Sequence, residues 1–154
     1  QAIGAGEPLQ ARFASLVGLG AALVFACFSA GLILLFRQPV ASIYTPDTAV
    51  IDIAAMLIVY AALYQFSDAI QVIAAGALRG YQDTRVTMIL TLLAYWGIGL
   101  PVGYVLGLTD YFGPASGPNG LWEGLIAGLT CAALMLSIRL ARSSAKHIRR
   151  AQRA

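Results

Sequence analysis

The chain has 154 residues, of which 59% are hydrophobic and only 11% are charged. Soluble domains carry about 45–50% apolar and about 25% charged residues, so a chain this poor in charge cannot cover its surface for water. The composition therefore argues against a soluble enzyme, a disordered tail and a nucleic-acid-binding module.

Long apolar runs alternate with short polar connections along the chain. A helix needs about 20 residues to cross a bilayer, and in lipid it satisfies its own backbone hydrogen bonds. Segments rich in proline, glycine and charge separate the runs. We therefore predict an all-α fold, a polytopic membrane helical bundle in one domain, residues 1–154, with four transmembrane helices at about 18–36, 49–78, 86–107 and 120–138.

The cations predict how the spans are oriented. With four spans, the N-terminal flank, the middle loop and the basic tail, residues 139–154, lie on one side of the membrane. This side holds nine of the ten basic residues: Arg12, Arg79, Arg85, Arg139, Arg142, Lys146, Arg149, Arg150 and Arg153. The bias places both ends in the cytoplasm. Because the tail directly follows a span, anionic lipid is a better partner for it than nucleic acid.

Asp68 is the most informative residue. It lies 11 residues before Arg79, roughly 16 Å along a helix and thus near the bilayer middle. A carboxylate there costs about 2.5–3.5 kcal/mol on insertion scales. This cost must be offset by a partner, a bound cation or a raised pKa.

The residues around Asp68 form a polar face on the second span. At about 100° per residue, five side chains fall within an arc of roughly 100°, and Gln65 lies somewhat off it. The five are Tyr60, Tyr64, Ser67, Asp68 and Gln71. Their oxygens suit Na⁺, with Asp68 as its possible ligand, and a carboxylate in low dielectric suits a proton. The alternative is that Asp68 hydrogen-bonds between helices as a purely structural residue.

Other features of the spans have simpler interpretations. Glu123 lies one turn from the start of the last span, where we expect it to be hydrated. Gly120, Gly124 and Gly128 recur every four residues and predict a close helix contact. Pro101 can bend the third span. The sequence contains no phosphate loop, metal-ligand set or nucleophile with its base, so we expect no catalytic residue and no cofactor beyond a coupling ion.

Three stretches together resemble the multidrug and toxic compound extrusion (MATE) family, particularly its bacterial NorM branch. The first is YQFSDAIQV at 64–72, continued by GALRGYQDTR at 76–85; the second is AYWGIGLPVGY at 94–104; the third is GLWEGL at 120–125 with Gly128 and Leu129. The combination is specific, whereas no single piece is. The resemblance covers nearly the whole chain, from about Gly4 onward.

The resemblance implies a fold and an activity. The family has twelve helices in two six-helix lobes, and this chain matches the last four helices, in the C-terminal lobe. The implied function is export of cationic, amphipathic drugs in exchange for Na⁺ or H⁺. Asp68 matches the carboxylate used for cation coupling, and Tyr64 lies one turn before it at a position implicated in the same site. Arg79 and Gly80 match a cytoplasmic loop motif.

The match is partial, which leaves alternatives open. The family's site also uses a glutamate from an earlier helix, outside this chain. The chain starts at Gln1 on a short Gly/Ala stretch, so we expect a C-terminal fragment whose partners are the N-lobe and the earlier C-lobe helices. One alternative is a self-contained four-span exporter acting as a dimer. Exporters of that type carry their essential carboxylate in the first span. The first span of this chain is uncharged, which counts against this alternative. Another is a non-transporting membrane subunit or a lipid-precursor flippase. The sequence leaves the choice between Na⁺ and H⁺ open.

Overall fold

The computed structural model describes residues 7–111 and 113–153. The stretch that opens at Gln1 and the last residue of the basic tail lie outside this part. The elements are α1 (Pro8–Leu35), α2 (Arg37–Tyr44), α3 (Thr48–Gly80), α4 (Thr84–Ala94), a π-helical turn (Tyr95–Gly99), α5 (Leu100–Leu108) and α6 (Pro118–Ala151). No strand occurs among the described residues, and the predicted all-α fold is confirmed.

Four helical segments are long and apolar enough to cross a membrane. They are Leu9–Leu35, Thr48–Gly80, Thr84–Leu108 and Pro118–Ala151, the third being α4, the π-helical turn and α5 together. The predicted number of transmembrane helices is therefore confirmed. Large apolar side chains on these helices point outward, and the few fully buried ones are Leu78, Leu129 and Leu136. An apolar exterior with an interior of small residues is typical of helices that pack within lipid.

Two helices extend well beyond the apolar runs that predicted them. α1 begins at Pro8 rather than near residue 18, because proline is tolerated in a first turn and no breaker follows it. α6 continues to Ala151, through the segment expected to be a separate basic tail. Ala, Arg and Lys are good helix formers in water as well as in lipid, so the helix outlasts its hydrophobic segment.

The breaker signals after the first span interrupt the helix without forming a long loop. Pro39 is the third residue of α2, where the absent N–H has no intrahelical partner to lose. α3 then begins after Asp47, whose carboxylate accepts a hydrogen bond of 2.9 Å from the backbone N–H of Ala49. This cap fixes the start of the helix that carries Asp68.

α3 and α6 pack in parallel and in register. Asn119 Nδ2 donates to Met56 Sδ at 3.4 Å, the Tyr60 hydroxyl donates to Glu123 Oε1 at 3.0 Å, and the hydroxyls of Ser67 and Thr130 lie 2.7 Å apart. Each pair is separated by 63 residues in the chain. A constant offset requires the two helices to run in the same direction with matched turns.

The glycine stripe of α6 packs directly on the backbone of the third span. A Cβ at Gly128 would lie 2.7 Å from Gly99 Cα, and one at Gly124 would collide with the Cα of Gly103. Such approaches leave no room for any side chain. The predicted close helix contact is confirmed, and Gly99 and Gly103 of the third span form its other half.

The third span is irregular just before Pro101. The Leu100 N–H bonds to the carbonyl of Tyr95, five residues back, so that one turn is widened into a π-helical turn. Pro101 follows without an N–H of its own. Such turns are frequent at functional sites, and this one carries Tyr95 toward α3.

Candidate functional site: a polar seam along α3

The residues predicted to form one polar face of α3 contact two neighbouring helical segments. Tyr60 and Ser67 bond to α6 as described above. The Tyr64 ring meets Trp122 edge-on, with centroids 6.1 Å apart. Gln71 Oε1 accepts a hydrogen bond of 2.9 Å from the Tyr95 hydroxyl. These contacts form a line of hydroxyls, an amide and a carboxylate through the spanning part of the bundle. We call this line the polar seam; it consists of Tyr60, Tyr64, Ser67 and Gln71 of α3 and their partners Glu123, Trp122, Thr130 and Tyr95.

Asp68 lies at the edge of this polar seam. Around α3 it falls between Gln71, which contacts Tyr95, and Gln65, which donates a hydrogen bond of 3.1 Å to Ser29 of α1. Each neighbour is displaced from it by roughly 60°. The side chain is therefore directed into the gap between α1 and the π-helical turn, and it is half-buried there.

No described residue holds the Asp68 carboxylate in a hydrogen bond or an ion pair. The ion pair formed within the described ranges joins Asp83 and Arg139, in a different part of the bundle. A purely structural role for Asp68 would require a hydrogen bond to a neighbouring helix, and no such bond forms within the described residues.

Two tyrosine hydroxyls lie within electrostatic range of Asp68. Tyr64 and Tyr95 are both near enough to interact electrostatically with its carboxylate, and they come from different helices. Gln65 adds a further oxygen, since its Oε1 is buried without a hydrogen-bond partner among the described residues. This neighbourhood offers one negative charge and several neutral oxygens, which are ligands suited to Na⁺ or to a proton shared with a carboxylate.

Some members of the polar seam were missed by reasoning from the sequence. Thr130 was detectable, since it lies seven residues after Glu123 and thus two turns along the same face of α6. Tyr95 had no such signal, because its direction depends on the π-helical turn. Ser29 likewise lies in an otherwise apolar run, and only the packing of α1 on α3 pairs it with Gln65.

The described residues include no group of three or more His, Cys, Asp or Glu side chains that could hold a metal ion together. A cation at Asp68 would therefore take one carboxylate and neutral oxygens. Hard ions accept such ligands readily, whereas zinc and copper favour imidazole and thiolate.

A second polar cluster lies at the basic end of the bundle, where α3 turns into α4. Asp83 Oδ2 accepts a hydrogen bond of 2.6 Å from Arg139 Nε and one of 3.3 Å from the Ser143 hydroxyl. The hydrogen bond from Arg139 holds the pKa of Asp83 below its usual value, against partial burial, which acts in the opposite direction. This ion pair ties the α3–α4 turn to α6.

Comparison with known proteins identifies a family and several relatives that this chain matches. The profile of the MatE family matches residues 1–105. The multidrug resistance protein PmpM of Pseudomonas aeruginosa is 67% identical over 151 residues, which are 98% of this chain and 32% of that protein. The multidrug resistance protein NorM of Vibrio vulnificus is 52% identical over 130 residues, 84% of this chain and 28% of that protein.

The fold also matches a solved structure, that of the eukaryotic MATE transporter AtDTX14. The TM-score is 0.80 at 22% sequence identity, and the match covers 97% of this chain and 34% of that one. At this identity the likeness concerns the fold alone. The chain thus spans about a third of the length of the proteins that it matches.

Proposed function

Because the chain belongs to the MatE family, we propose that it forms part of a cation-coupled antiporter that exports cationic, amphipathic compounds in exchange for Na⁺ or H⁺. Membership in a family of transporters confirms the expectation that the chain is not an enzyme. The bacterial relatives are named multidrug resistance proteins. Their names support drugs as the substrate class of the whole transporter. The rest of the transporter, its N-lobe and earlier C-lobe helices, supplies the other half of the cavity.

The observation that carries the proposal is the environment of Asp68. An ionised carboxylate inside a membrane span is costly unless something neutralises it. No described residue donates to this one, while two tyrosine hydroxyls lie near it. Reversible neutralisation by Na⁺ or H⁺ therefore offsets the cost during each cycle, with Tyr64 beside Asp68 as part of the cation site. Tyr60, Ser67 and Gln71 line the polar face that leads to it.

Coupling follows from linkage between two ligands. A cation at Asp68 stabilises one conformation of the lobe, and a drug stabilises the other, each by its differential affinity. Aromatic and Met side chains give the cavity its acceptance of flat cations. Tyr60, Tyr64 and Met88 are the candidates on this chain.

The orientation of the chain is part of the proposal. The structure gathers Arg12, the α3–α4 turn and the basic end of α6 at one end of the bundle, since they line common cavities. This end carries nine of the ten basic residues, and the positive-inside rule assigns it to the cytoplasm. Both ends of the described chain then lie on the cytoplasmic side of the bacterial inner membrane.

The test is ion-driven drug efflux by the protein expressed from its complete open reading frame. In proteoliposomes with an imposed Na⁺ or pH gradient, we expect Asp68→Asn to reduce the stimulation by the coupling ion by about fivefold or more, the range of typical coupling energies. Asp52→Asn is the matched control, because Asp52 is an exposed carboxylate on the same helix. Undiminished ion-driven efflux by Asp68→Asn would remove this residue from the mechanism.

The same assay separates the remaining alternatives. Efflux stimulated by a Na⁺ gradient at constant pH identifies Na⁺ as the coupling ion. Efflux stimulated by a pH gradient at constant Na⁺ concentration identifies H⁺. A lipid-precursor flippase would move labelled lipid without exporting cationic dye. The MatE match over residues 1–105 favours the antiporter over a self-contained four-span exporter, whose carboxylate would belong in the uncharged first span.

A further inference from the structure

A cavity of about 240 Å³ lies at the basic end of the bundle, between α1, α3 and α6. Its walls are mostly apolar and include Leu16, Ile73 and Leu140. Leu16 is also exposed on the outer surface of α1, so one wall of the cavity adjoins the apolar exterior. The cavity is separate from Asp68, which is not among its lining residues.

Two of the residues that line this cavity, Tyr81 and Ser144, carry buried hydroxyls without a hydrogen-bond partner among the described residues. The Tyr81 hydroxyl and Ser144 Oγ have none among the described residues, although the two residues are only 8% and 5% exposed. A buried polar group without a partner costs about 1–3 kcal/mol. Two such groups on residues of one cavity wall are satisfied if side-chain rotation brings their hydroxyls to an occupant with hydrogen-bond acceptors.

The charge at the cavity indicates that its occupant is negatively charged. Arg12 is exposed and lines the cavity, and no acidic residue does. One cation and two hydroxyl donors together favour an anionic oxygen group, while the apolar walls favour a hydrocarbon body. The position at the basic end of spanning helices places both features at the level where a bilayer changes from headgroup to acyl chain.

We infer that this cavity binds an anionic phospholipid, with its phosphate held by Arg12, Tyr81 and Ser144 and an acyl chain lying along Leu16 and Ile73. The lipid bridges α1, α3 and α6, which are all represented in the lining. It therefore stabilises the packing of the first span on the helix that carries Asp68. The inference does not depend on ion coupling, so it stands or falls separately from the proposed antiport.

Native mass spectrometry on the protein expressed from its complete open reading frame, purified in neutral detergent, tests this site. The probes are phosphatidylglycerol, phosphatidylcholine of the same chain length and inorganic phosphate. We expect phosphatidylglycerol to bind about tenfold more tightly than phosphatidylcholine. Arg12→Gln should weaken its binding about tenfold, as expected for loss of a charged hydrogen bond, whereas Arg85→Gln, an exposed arginine outside the cavity, should leave the binding unchanged.

A second variant guards against an effect of misfolding. Tyr81→Phe keeps the ring that packs on His147 at 5.0 Å but removes the unpartnered hydroxyl. In the absence of lipid it should unfold at the same temperature as the parent or higher, and it should nevertheless bind phosphatidylglycerol more weakly. If the role of Tyr81 were purely structural, Tyr81→Phe would not weaken lipid binding while leaving the unfolding temperature unchanged or higher.

Four results would overturn the inference. Equal binding of the two phospholipids would show that charge is not recognised. Equal weakening by Arg12→Gln and Arg85→Gln would show a general surface attraction. Competition by inorganic phosphate at the concentration of the lipid would show a site for a free anion. Absence of bound phosphatidylglycerol in the parent protein would show that the cavity does not hold a phospholipid.

Discussion

The Tyr60 hydroxyl donates a hydrogen bond of 3.0 Å to Glu123 Oε1 and joins two parallel helices 63 residues apart in the chain. The sequence alone led us to expect a hydrated Glu123 near the outer interface. The register of α3 against α6 also places this half-buried carboxylate on the polar seam, opposite Tyr60 and two turns of α3 from Asp68. The free-energy cost of losing this contact depends on whether one partner is removed or both.

Removing one partner of this pair should cost more than removing both. Tyr60→Phe leaves the Glu123 carboxylate without its donor, and an unsatisfied group loses its full desolvation energy, whereas two apolar replacements are nearly neutral. The single variant should therefore unfold at a lower temperature in detergent, and Tyr60→Phe combined with Glu123→Leu should recover part of the loss. Tyr104→Phe, an exposed tyrosine of α5, is the control. If the two substitutions lower the midpoint additively, the pair is not coupled.

Tyr95 should tune the ion dependence of transport. Its hydroxyl bonds to Gln71 and lies near Asp68, so Tyr95→Phe should shift the ion concentration for half-maximal efflux by about threefold to tenfold, the equivalent of one hydrogen bond. The measurement is drug efflux from proteoliposomes at graded Na⁺ concentration or pH. An unchanged ion dependence with reduced maximal efflux would instead assign Tyr95 a role in packing alone.

The glycine contact should tolerate no side chain. Gly124→Ala places a methyl group against the backbone of Gly103 and must push α6 away from α5, which we expect to cost about 1–3 kcal/mol by analogy with overpacked cores. Gly76→Ala is the matched control, because nothing lies within 4 Å of its added Cβ and Ala favours helix. Thermal unfolding in detergent compares the two. Equal midpoints would contradict the close contact.

The Asp83–Arg139 ion pair should make stability depend on pH in the acid range. Because the folded-state pKa of Asp83 is lowered, chiefly by Arg139, its contribution is complete above the unfolded-state pKa of about 3.9 and disappears as the pH falls through the folded-state value. Asp83→Asn should lower the unfolding midpoint at neutral pH, and the difference from the parent should narrow below about pH 4. A difference that stays constant down to pH 3 would show that the ion pair contributes no stability.

The number and type of the helices could be read from the sequence, and so could the placement of Asp68 within the second spanning helix. Hydrophobicity over about 20 residues depends on composition alone, which is why four spanning helices were predicted and found. The ends of α1 and α6 were not predictable from the same signal. Hydrophobicity marks where lipid ends, whereas the helix ends only where its backbone is interrupted.

The partners of the polar seam depended on the tertiary structure. The polar face of α3 follows from a period of 3.6 residues, but nothing in that period says which helix it meets. The glycine contacts of α6 and the π-helical turn before Pro101 decide that Tyr95 faces Gln71 and that Thr130 faces Ser67.

The sequence by itself therefore determined that this protein has four membrane-spanning helices and that a carboxyl group, Asp68, lies within the second of them, because local composition fixes both. Only the packing of the helices decided which side chains surround the Asp68 carboxylate and that no described residue forms a hydrogen bond to it. Contacts between helices are set by their register and close approach, and these arise when distant segments pack together.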